Sequence, residues 1–165
     1  MRVVGIVCDR VIKYVLRKLR LVPVSLTLAL ASHPYLADSA VSDGNLGAWV
    51  DDPRNFKRVF DFDQPPDVKV IHSYYWKSPH WTVEYRYYIA LQGPRKFVDG
   101  LTDPSLMTSA VPDQKTIDSC GDSKPDWFLP KSLSSYQAWI PKADAGYRVF
   151  LDKEDGTLFV CDQRL

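Results

Sequence analysis

The chain has 165 residues, with 21 Lys or Arg against 20 Asp or Glu, for a formal charge of +1. That length suits one ordinary domain, and the absence of a Lys/Arg cluster beyond residue 20 argues against a phosphate-backbone ligand such as nucleic acid. Eighteen of the acids are Asp and only Glu84 and Glu154 are Glu, a bias toward turns and caps over helix interiors.

In chain order, the first feature is an address. Arg2, Arg10, Lys13, Arg17, Lys18 and Arg20 face a single acid, Asp9. The uncharged run from Leu21 to Leu28 follows, then Ala29-Leu30-Ala31. A basic stretch, a short apolar core and an Ala-x-Ala site form the pattern of a secretory signal peptide over residues 1–31. Eleven residues make about 16 Å of helix, half the hydrocarbon thickness, so the run is no transmembrane anchor. The basic region is long and itself apolar (Val3, Val4, Ile6, Val7, Val11, Ile12). Translation from Val15 would shorten it; the alternative is a basic amphipathic helix lying on a membrane surface. No Cys follows the apolar run, which removes a lipoprotein reading.

Cleavage after Ala31 places the remainder in a secreted or periplasmic setting and removes six basic residues and one acid, turning +1 into −4. It also removes Cys8 and leaves Cys120 and Cys161, an even pair that an oxidising compartment would join. That bond would close a loop of about forty residues, worth about 3–4 kcal/mol.

Residues 32–52 are polar and turn-rich, an extended leader, and residues 53–165 form a single domain. Phe56 to Phe62 is expected as a first strand, stopped by Pro65-Pro66. Val68 to Gln92 carries the strongest periodicity. Trp81, Val83, Tyr85, Tyr87, Ile89 and Leu91 alternate with mostly polar neighbours, and Val68, Val70, His72, Tyr74 and Trp76 do the same, which predicts two half-buried strands. Lys77-Ser78-Pro79-His80 reads as their turn. With Trp76 opposite Trp81, Tyr74 faces Val83 and His72 faces Tyr85, so one face collects the aromatics.

Pro94 to Leu101 is expected as a short helix. Thr102 to Ser135 has no clean period and reads as a long irregular connection, of the kind that is either functional or pinned. Tyr136 to Ile140 is a strand, and Tyr147–Leu151 and Thr157–Asp162 flank the turn Asp152–Gly156 as a second hairpin. The expected class is α+β: a small antiparallel sheet of about five strands built on two hairpins, with one short helix and a long irregular connection.

No motif supplies a reaction. Asp61, Asp63 and Asp67 cluster near a strand end without a calcium-loop glycine, and Asp152–Gly156 is out of register for an EF-hand. No nucleophile elbow, phosphate loop or C-x-x-C is present, so no catalytic residue, metal or cofactor is assigned. Seven of the 21 aromatics lie between Tyr74 and Tyr88. Rings with polar tips suit recognition of a protein, peptide or glycan, although an alternating aromatic strand is first a core strand. The residues left over for a partner are Tyr75, Trp76, His80, Tyr88, Trp127 and Phe128. The expected function is therefore a small exported, non-enzymatic domain that binds a macromolecule of the cell envelope. The rivals are an envelope hydrolase using Asp and His residues, and a structural subunit that self-associates.

Overall fold

Tyr85–Gln92 forms a strand with Tyr87 to Leu91 all buried. A strand buried on both sides must lie inside a sheet with a layer on each face. A computed structural model describes residues 47–78, 84–143 and 147–164. The expected signal peptide, the leader up to residue 46, and His80, Trp81 and Val83 lie outside the described residues. Among the described residues the sheet is antiparallel throughout and contains seven strands. They are β1 (Ala48–Val50), β2 (Lys69–Lys77), β3 (Tyr85–Gln92), β4 (Met107–Ala110), β5 (Tyr136–Pro141), β6 (Arg148–Asp152) and β7 (Leu158–Arg164), in the order β1-β2-β3-β7-β6-β5-β4.

The α+β class and the C-terminal hairpin agree with expectation, but the strand count does not. β1 and β4 are short edge strands of three and four residues, too brief to show a period. The expected first strand at Phe56–Phe62 is instead the helix α1 (Asn55–Phe60). Phe56, Val59 and Phe60 are spaced i, i+3, i+4, one helical face, and all three are buried. Asp61 ends α1 in the left-handed region at φ 59°, its N–H donating to the Lys57 carbonyl. The helix expected at Pro94–Leu101 is α2 (Arg95–Leu101), with Pro94 as its N-cap. A third helix, α3 (Gln114–Asp118), lies in the connection expected to be irregular, capped by the Asp113 carboxylate, which accepts from the Thr116 N–H.

Two cores follow. On one face, α1 and α2 bring Phe56, Phe60 and Phe97 against Tyr87, Ile89, Leu91, Val149, Leu158 and Val160. On the other, the 111–135 connection brings Ile117, Cys120 and Phe128 against Tyr88, Ala90, Tyr136, Phe150 and Phe159.

The register of the first hairpin also departs from expectation. Tyr74 opposes Tyr88, Trp76 opposes Arg86 and Lys77 opposes Tyr85. Beyond the last pair, the Ser78 N–H donates to the Glu84 carbonyl at 3.0 Å. Compared with the four-residue turn, the pairing is displaced by five positions, an odd number, and an odd slip moves a whole side-chain set to the other face. Tyr85 and Tyr87 therefore share a face with Tyr75, whereas His72, Tyr74 and Trp76 share the opposite face with Arg86 and Tyr88. A bulge between Val70 and His72 returns Val70 to the first core.

Candidate functional site

The 111–135 connection is fastened to the second face at several points. The sulfurs of Cys120 and Cys161 lie at bonding distance, 2.05 Å, joining the connection to β7. The Tyr88 hydroxyl donates to the Cys120 carbonyl oxygen at 2.6 Å. Burial pushes that phenol up to about 12. Gly121 has φ +95°, a conformation that favours glycine, and lies against the end of the Gln163 side chain, which accepts from Arg86 Nε. Farther along, Lys131 Nζ bridges Asp152 (2.8 Å) and Glu154 (2.7 Å), and its backbone N–H donates to the Tyr136 hydroxyl. The bridging raises the Lys131 ammonium above its ordinary value, led by the hydrogen bond to Asp152.

Fastened in this way, the connection drives Phe128 into the core. Its ring meets Tyr88 at 5.0 Å, Phe159 at 5.7 Å and Phe150 at 6.2 Å, edge to face. The neighbouring Trp127 stays half-buried and stacks on His72 with centroids 5.3 Å apart. His72, Tyr74 and Trp76, at alternate positions of β2, thus form a row with Trp127 at one end. His72 is exposed; the other three are half-buried. Val50, opposite Tyr74 on β1, is 65% exposed and borders the row.

The edge beside the row is polar. His72 Nδ1 lies 3.6 Å from Asp51 Oδ2, while Asp51 Oδ1 accepts the Ser73 N–H at 2.7 Å. The next residue, Asp52, is held down to about 2, first by its hydrogen bonds from the Arg54 side chain, with Arg58 adding to them. A recess of about 260 Å³ opens here between Asp51, Asp52, Gln64, Lys69 and Ile71. It contains none of Asp61, Asp63, His72 or Glu84, the carboxylates and imidazole that a hydrolase reading would gather. Asp63 instead pairs with Lys57 at 2.8 Å. Among the described residues, no group of three His, Cys, Asp or Glu side chains is placed to hold a metal ion. No helix among them is long and apolar enough to cross a membrane.

The residues singled out in the sequence are thus dispersed. Trp76 and Trp127 lie on the same face and border the row. Tyr75 points to the other face, between Trp49 at 5.9 Å and Tyr87 at 6.5 Å, with the Arg58 guanidinium over Trp49 at 4.6 Å. Tyr88 and Phe128, at 0% and 4% exposure, offer no surface to a partner; both are packing residues of the second core, because the 111–135 connection lies over that face of the sheet. His80 lies outside the described residues. His72, Tyr74 and Val50 were missed as members of the row. The alternation of His72, Tyr74 and Trp76 was visible, but the wrong register assigned it to the core. No protein-family model, no curated protein and no solved structure matches the chain.

Proposed function

We propose that this chain is a small exported, non-enzymatic domain that binds a macromolecule of the cell envelope through the row His72, Tyr74, Trp76 and Trp127. The observation that carries the reading is the separation of adjacent aromatics. Phe128 and Tyr88 fill the core completely, while Trp127 and Tyr74 beside them keep ring surface at the boundary. Rings with polar tips on a rigid strand provide contact area at low entropic cost. The disulfide fits an oxidising compartment.

The test is retention of an envelope component by the purified chain, compared with a Trp76→Ala/Trp127→Ala variant of unchanged circular dichroism. Saturable retention by the wild type and its loss in the variant support the reading; equal retention by both rules out the row. Export is checked separately by intact mass, which should lack residues 1–31 and be two hydrogens light.

A further inference from the structure

The two edges of the sheet are finished differently, and the difference points to a partner. The β1–β2 edge is guarded. β1 has three residues, Asp51 turns the chain away at φ 49°, and the Asp51 carboxylate already occupies the Ser73 N–H. A bulge follows at Val70–His72. These are devices that block strand addition.

The β4 edge is also short, four residues between Pro104 and Pro112, but its pairing with β5 has no bulge. From Pro104 to Pro112 there is no charged residue. No strand among the described residues pairs with its outer side, Thr108 and Ser109 are exposed, and Val111 is 83% exposed. The hydrogen-bond phase fixes which backbone groups face outward. Lys142 N–H donates to the Leu106 carbonyl, so Leu106, Thr108 and Ala110 bond to β5, and Met107, Ser109 and Val111 turn away from it. Pro141 confirms the phase, since it sits opposite Met107, where no N–H is needed.

We propose that β4 pairs antiparallel with β4 of a second copy of this chain, about a two-fold axis at Ser109. In this register the Ser109 N–H and C=O of each copy bond to those of the other, and the Val111 N–H of each meets the Met107 C=O of the other. The exposed Val111 side chain packs beside Met107 across the axis. An uncharged strand meets itself without repulsion. The dimer is closed, as an isologous contact must be. Because β2 and β4 are five strands apart in the sheet order, each protomer carries its aromatic row about 24 Å from β4, five strand spacings away. The pair would therefore be bivalent. The dimer does not depend on the binding reading.

Sedimentation of the full chain over a wide concentration range tests it. The wild type should be a dimer. Ser109→Pro removes an outward N–H and leaves the β5 bonds intact; it should weaken the dimer about thirty-fold, the loss of two symmetry-related hydrogen bonds. Val111→Lys, which sets a charge beside Met107 of the other copy, is the second variant in case the first fails to fold, and Val50→Lys at the guarded edge should leave the sedimentation unchanged. A wild type that is monomeric at every concentration, or a dimer indifferent to both β4 variants, overturns the proposal.

Discussion

The Tyr88 hydroxyl donates to the carbonyl oxygen of Cys120 at 2.6 Å, so the residue tied covalently to β7 is also held by hydrogen bond from β3. Tyr88→Phe should cost about 1–2 kcal/mol, since it leaves a buried carbonyl without its donor. The phenol titrates near 12 when folded and near 10 when unfolded. The unfolded chain therefore loses its proton first as pH rises, and the contribution present below pH 10 fades between about 10 and 12. Urea melts of both forms across this range, with the ultraviolet titration of the phenols, check the assignment; an equally steep alkaline loss in Tyr88→Phe would contradict it.

Replacing Cys120 and Cys161 together by Ala should cost about 3–4 kcal/mol, by the loop-entropy account. The loss should begin locally, with amides of 111–135 exchanging faster than those of β3 and β7. Hydrogen exchange by mass spectrometry resolves the two regions, and uniform acceleration would mean that the bond clamps nothing in particular.

Two adjacent substitutions should behave oppositely. Phe128→Ala empties the centre of the second core and should cost about 3–4 kcal/mol. Trp127→Ala, at the boundary, should cost about 1 kcal/mol or less. It should also reduce Trp fluorescence changes on partner binding. Paired urea denaturation curves decide; similar losses would make Trp127 a core residue.

Acid should weaken the fold between about pH 4 and 2. Asp52 is lowered to about 2 by Arg54 and Arg58. Asp152, at 2% exposure, is also lowered, because Lys131 outweighs the opposing effect of burial. Both take up protons in the unfolded chain before the folded one, so their stabilisation is present above pH 4 and lost as pH falls through the folded values. Asp152→Asn should cost about 2 kcal/mol at neutral pH and flatten the acid limb. Thermal melts from pH 2 to 7 give both quantities.

How much of this was legible follows from particular residues. The alternation from Tyr85 to Leu91 found β3 correctly, and Gly156 with its flanking apolar runs found the C-terminal hairpin. Phe56 to Phe62 misleads because seven residues hold too few turns to separate period 3.6 from period 2. β1 and β4 were invisible for the same reason. The hairpin register is lost because Lys77-Ser78-Pro79-His80 reads as a tight turn, whereas Lys77 pairs with Tyr85. That one error places His72 and Tyr74 in an imagined core. Trp76 is singled out for its place near the hairpin tip and Trp127 for its place in the irregular segment. What placed them was the covering connection, whose path depends on contacts between residues far apart in sequence.

The strand order has a consequence for how the protein is made. β7 is the last of the seven strands to be synthesised, yet it lies at the centre, with β1-β2-β3 on one side and β6-β5-β4 on the other. Before it emerges, the ribosome has produced two three-stranded units with no strand pairing between them among the described residues, each with an apolar flank open. Neither can shelter that flank alone. Closure of the sheet therefore waits until β7 has been synthesised, because only β7 joins the two halves.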